Sequence, residues 1–131
     1  MQHTAPDTPP AATCYGIRNC DTMKKAFAWL DEHGVAYRFH DYKKSGIDSA
    51  TLHAWSKAVG WKTLINTRGT TWRKLPPERQ AIDTQSAAVQ LMQEFPSLIR
   101  RPVLGTAGGQ LLVGFDPTLY ASFHASTGAS E

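Results

Sequence analysis

One cysteine stands where a strand pattern gives way to a helix pattern. Residues 13–17 read as a short strand, and Met23, Ala26, Phe27 and Leu30 then fall at i, i+3, i+4 and i+7, the apolar stripe of an amphipathic helix. Cys20 lies at the junction. A helix start leaves its first backbone N–H groups unpaired and carries the positive end of the dipole. Both favour a thiolate over a thiol. A free cysteine has a pKa of about 8.5, and a helix N-terminus is one of the settings that lower it. Arg18, Lys24 and Lys25 add positive charge close in sequence, while Asp21 opposes them and suits the helix start. The chemistry on offer is that of a nucleophilic sulfur in an anion-attracting pocket. The alternative is a small apolar residue plugging a helix end.

The other residues that could do chemistry form no competing constellation. Cys14 lies on the strand itself. At about 3.3 Å per residue it sits some 10 Å behind the Cys20 loop, beyond the roughly 7 Å between Cα atoms that a disulfide can span. Cys14 therefore reads as a buried strand residue. The five histidines, at 3, 33, 40, 53 and 124, show no metal-ligand spacing with the cysteines or acids, and no metal site is expected. Trp29, Trp55, Trp61 and Trp72 read as packing.

Composition bounds the rest. A chain of 131 residues fits one domain with a modest core. Its 41% hydrophobic and 19% charged residues are those of an ordinary globular protein. Net charge is +3 and the isoelectric point about 9.0, with the basic residues scattered, so nucleic acid is not an expected partner. Two cysteines are too few for a disulfide framework. Residues 1–13 lack the basic start and apolar centre of a signal peptide, and no apolar run approaches the ~20 residues of a membrane span. A reducing, cytoplasmic setting without membrane attachment is the expectation, and a monomer is expected.

Along the chain, residues 1–12 carry three prolines and read as a disordered arm. The first helix runs from Asp21 to His33 and stops at Gly34. Val35, Tyr37 and Phe39 alternate with polar neighbours as a second strand. Residues 42–46 read as a polar exit loop. Asp48 or Ser49 caps a helix with Leu52, Trp55 and Val59 on one face, stopped by Gly60. A short helical turn over 61–66 and a loop over 67–75 follow, punctuated by Pro76-Pro77. Asp83 or Thr84 starts a helix with Ala88, Leu91, Met92 and Phe95 on one side, closed by Pro96. Residues 102–104 and 110–113 form a hairpin about a glycine-rich turn over 105–109. Asp116-Pro117 opens a last helix packed through Leu119, Tyr120 and Phe123, and 124–131 reads as a flexible tail. The order β-α-β, helical insert (about 47–95), β-β-α is that of a thioredoxin-like α/β fold. It is expected to be a four-stranded mixed sheet with the insert between the second and third strands, in a single domain over 13–123.

Three stretches carry a resemblance. Tyr15-Gly16-Ile17-Arg18-Asn19-Cys20-Asp21-Thr22, Asn66-Thr67-Arg68-Gly69-Thr70-Thr71-Trp72-Arg73 and Leu98-Ile99-Arg100-Arg101-Pro102-Val103 together resemble the ArsC family. They are closest to its YffB-like branch and related to the Spx-type regulators. The resemblance implies that Cys20 is the nucleophile, attacking an oxyanion or a disulfide and forming an adduct that glutathione or glutaredoxin resolves. It implies a cis bond before Pro102 that turns Arg101 toward the cysteine, where a planar guanidinium suits oxyanions and carboxylates. It makes Arg68 a loop arginine able to close over the anion, with Arg73 and Asn66 as weaker candidates and Arg18 and Asn19 flanking the nucleophile. No bound cofactor is implied; glutathione is the expected co-substrate.

Three functions follow from it. A glutathione-dependent thiol/disulfide reductase fits best, because Met23 stands where a Cys-x-x-Cys motif would place a second thiol, leaving one cysteine and an external thiol. An arsenate reductase is weakened because residues 111–115, where the family's arsenate enzymes carry a third arginine, have none. Each lost charge-assisted contact removes on the order of 1.5–3 kcal/mol. An Spx-like regulator that binds RNA polymerase ranks last, since those relatives commonly use the Cys-x-x-Cys switch.

Overall fold

The computed structural model describes residues 11–128. The arm expected over 1–12 lies outside the described residues except for Ala11 and Ala12, and Ala12 already begins the first strand. In chain order the elements are β1 (Ala12–Gly16), α1 (Asp21–Glu32), β2 (Tyr37–Asp41), α2 (Tyr42–Ser45), α3 (Ser49–Val59), α4 (Trp61–Leu64), α5 (Thr70–Arg73), α6 (Pro77–Gln80), α7 (Gln85–Glu94), a 3-10 turn (Pro96–Leu98), β3 (Val103–Thr106), β4 (Leu111–Val113) and α8 (Pro117–Gly128). The described residues divide into two compact units, 11–41 with 101–128, and 42–100.

The first unit holds the sheet, in the order β2-β1-β3-β4. β1 is parallel to β2 and antiparallel to β3, and β3 and β4 form the hairpin. This is the four-stranded mixed sheet of an α/β, thioredoxin-like fold. Along β1 the period of two buries Ala12, Cys14 and Gly16. Against that face lie Met23, Ala26 and Leu30 of α1 and Tyr120 and Phe123 of α8. Helix α1 stops where Gly34 takes a left-handed φ of 68°, and the Val35 N–H donates to the Leu30 carbonyl.

In this unit three details differ from the expectation. The glycine-rich turn is shorter, because Gly105 and Thr106 still belong to β3 and the Thr106 hydroxyl accepts from the Gln110 N–H at 2.9 Å. The last helix continues past His124 to Gly128, with its start capped by Asp116, whose carboxylate accepts from the Thr118 N–H at 2.9 Å. Leu119 faces solvent, because a helix that buries 120 and 123 turns residue 119 off the core face.

The second unit is helical. Asp48 caps α3 by accepting from the Thr51 N–H, and Thr84 caps α7 by accepting from the Ala87 N–H. Leu52, Trp55, Leu64, Ala88, Leu91 and Met92 are buried in it. Residues 42–46, expected as a loop, form the turn α2, because Tyr42 is buried and Gly46, at φ 63°, donates back to the Tyr42 carbonyl at 2.8 Å. The stretch 67–75, also expected as a loop, contains α5, tied down by a 2.8 Å hydrogen bond between the Thr71 and Ser97 hydroxyls.

Candidate functional site

The β1 strand ends at Gly16, and residues 17–19 turn the chain into α1. Cys20 is the N-cap of that helix, with extended backbone (φ −149°, ψ 129°) and its carbonyl accepting the first helical bond from the Lys24 N–H at 3.0 Å. Its side chain is half-buried and packs against the edge of the core. As the N-cap, Cys20 carries its sulfur at the open end of the first turn, where the Met23 and Thr22 amides act on it.

Partial burial by itself pushes the Cys20 thiol up. The Met23 N–H, the hydrogen-bonding Arg101 guanidinium and the Thr22 N–H outweigh it and hold the sulfur below the usual thiol range, helped by the arginine's charge. Arg101 reaches the sulfur through the sheet. Tyr15 of β1 pairs with Val103 of β3, so the residues just before β3 lie beside the end of β1. The Arg101–Pro102 peptide bond is cis, Pro102 is buried, and its carbonyl accepts from the Gly114 N–H at 2.8 Å.

Cys14 has the opposite environment. It is fully buried on β1, and burial pushes its thiol up to about 12. The two cysteines are both free thiols. One is buried and neutral; the other is reachable and favoured as the anion.

The remaining candidates fall in different places. Arg18 is exposed, and its guanidinium lies over the Phe39 ring, 5.1 Å from the centroid, rather than among the groups that lower the Cys20 pKa. Asn19 is exposed in the loop before Cys20, and Lys24 and Lys25 are exposed on α1. Asn66, Arg68 and Arg73 belong to the second unit. The Asn66 side-chain oxygen accepts from the Arg68 N–H at 3.0 Å, and its own N–H donates to the Leu98 carbonyl, so Asn66 shapes the turn. Arg68 is exposed on that turn, and Arg73 is exposed at the end of α5. The sequence reading did not single out the Thr22 and Met23 amides. Their signal was there, since they occupy the second and third positions of a helix whose N-cap is the cysteine.

Among the described residues no group of three or more His, Cys, Asp or Glu side chains could hold a metal ion, and no helix is long and apolar enough to cross a membrane.

Comparison with known proteins follows the same lines. The family model described as the ArsC family matches residues 15–123. The solved structure of a YffB protein is 52% identical, with a TM-score of 0.81, covering 85% of this chain and 96% of its own. The solution structure of an arsenate reductase (ArsC) related protein from Brucella melitensis is 49% identical, with a TM-score of 0.68, covering 86% of this chain and 93% of its own. The global transcriptional regulator Spx of Streptococcus agalactiae is 32% identical over 88 residues, 66% of this chain and 64% of the regulator's length.

Proposed function

The chain belongs to the ArsC family, and from that footing we propose that it is a thiol oxidoreductase working through one nucleophilic cysteine, Cys20, with glutathione as the thiol that resolves the adduct. The observation that carries the reading is the half-exposed Cys20 sulfur at a helix N-terminus, faced by the Met23 and Thr22 amides and by Arg101.

The reaction runs in two exchanges. The Cys20 thiolate attacks one sulfur of a disulfide R–S–S–R′, forming Cys20–S–S–R and releasing R′–S⁻. Glutathione thiolate then attacks the R sulfur, forming R–S–S–G and returning Cys20 as thiolate. R′ is reduced, glutathione is oxidised, and the released thiolate takes its proton from water. The groups that favour the Cys20 anion at the start also make it a good leaving group at the end, because a low-pKa thiol leaves faster. Arg101 also offers a forked donor to a carboxylate of glutathione or to an anionic substrate. Glutaredoxin is the other candidate donor.

Intact mass after incubation with oxidised glutathione tests this. The native chain is expected to gain one glutathione, mapped to Cys20, and Cys20→Ser to gain none. An unchanged adduct on the variant ends the proposal.

A second reading, arsenate reduction, is favoured by the naming of the Brucella melitensis relative and by donors that would suit an oxyanion. It ranks below because β4 and the residues after it, Leu111 to Phe115, carry no arginine. Robust turnover in a glutaredoxin-coupled arsenate assay would reverse the order. The regulator reading ranks last: Met23, where a Cys-x-x-Cys would carry its second cysteine, is buried core. Co-purification of RNA polymerase subunits would revive it.

A further inference from the structure

Gly16 closes β1 four residues before Cys20, and its backbone does not take a positive φ. Conformational freedom is therefore not what the glycine supplies. It supplies room. A Cβ at residue 16 would overlap Met23 Sδ and stand 2.6 Å from Met23 Cε, far inside the roughly 3.5–4.0 Å at which carbon atoms rest. The Met23 side chain is fully buried, in the cluster that includes Cys14, Ala26, Leu30 and Tyr120. Its thioether has close-packed neighbours, not solvent, to move into. Met23 is also the third residue of α1, and its N–H faces the Cys20 sulfur. One residue thus joins the packing against β1 to a polar contact at the reactive atom.

We propose that Gly16 is a positioning residue for Cys20: by carrying no side chain where the buried Met23 thioether lies, it lets the first turn of α1 seat against the end of β1 and aim the Met23 N–H at the sulfur. The inference rests on the reading of Cys20 as the nucleophile. A methyl group at residue 16 pushes on Met23, and the displacement is passed to an amide whose bond to the sulfur weakens steeply with angle.

The test follows Cys20 ionisation by ultraviolet thiolate absorbance, and its exchange rate with an uncharged aromatic disulfide, in the full chain. Native protein is compared with Gly16→Ala, Met23→Ala and the double variant. Gly16→Ala is expected to raise the Cys20 midpoint by about half a unit to one unit and to slow exchange about twofold at a pH below the native midpoint. The double variant removes the colliding atoms and brings the midpoint back toward native. A merely structural role would lower the melting temperature and leave the midpoint in place. A folded Gly16→Ala protein with the native midpoint overturns the proposal, as does a double variant that keeps the raised one. If Gly16→Ala does not fold, Met23→Ala and the double variant are compared: equal midpoints are expected, and a higher one in the double overturns the link through Met23. A native midpoint that is not lowered at all refutes the nucleophile reading instead, so the two failures are distinguishable.

Discussion

Replacing Arg101 by alanine removes a charged side chain that hydrogen-bonds the Cys20 sulfur. A charge-assisted hydrogen bond contributes about 1.5–3 kcal/mol when well shielded. Cys20 is only half-buried, so solvent screening brings the figure to about 1 kcal/mol. That corresponds to a thiol pKa higher by about 0.7 unit. At a pH below the native midpoint the thiolate fraction then falls about fivefold, while each remaining thiolate is about twofold more nucleophilic because reactivity rises with basicity. The expected net effect is exchange about two- to threefold slower at a pH below the native midpoint and about twofold faster at a pH where both proteins are fully ionised. An uncharged aromatic disulfide is the right probe, since it makes no ion pair with Arg101 and reports on the sulfur alone. Arg101→Lys keeps the charge, loses the planar fork and should fall between the two. A folded Arg101→Ala protein whose rate–pH profile lies on the native one would refute the reasoning.

Other consequences are open to direct measurement. Cys14, whose thiol is raised to about 12 from 9.0, stays neutral in the fold while the unfolded chain ionises. Stability should therefore fall above the unfolded thiol pKa by about 1.4 kcal/mol per pH unit, until the folded value is reached. Denaturant midpoints measured on the alkaline side should show a shallower decline in Cys14→Ala than in the native chain; parallel declines would count against a buried neutral thiol. Thr84→Ala removes the cap acceptor for the Ala87 N–H and should cost about 1 kcal/mol in urea unfolding. Leu104→Ala empties a fully buried position on β3 and should cost about 2–5 kcal/mol; a loss under 1 kcal/mol, the surface range, would place that residue outside the core.

What the chain discloses by reading alone depends on how local the cause is. The junction at Cys20 was legible because a strand period of two and a helix stripe meet there within twenty residues. Gly34 and Gly60, at φ 68° and 88°, were legible as stops for the same reason. Tyr42 was not, because its burial depends on neighbours distant in sequence and its polar surroundings resemble a loop. Leu119 was misjudged because an apolar residue beside two core residues looks like a third, and only the helix rotation decides. The site divides likewise. The helix-start contribution follows from local pattern, whereas the approach of Arg101 to Cys20 requires β3 to lie antiparallel beside β1, and composition and periodicity do not reveal that. Arg18, only two residues before Cys20 in sequence, lies over Phe39 instead.

The most direct measurement is the pH titration of Cys20 itself in the unmodified chain, read by thiolate absorbance with Cys20→Ser as the blank. An activated nucleophile gives a single ionisation with its midpoint below the ~8.5 of a free thiol, absent from the blank. A midpoint at or above that value, or a transition that persists in Cys20→Ser, would contradict it.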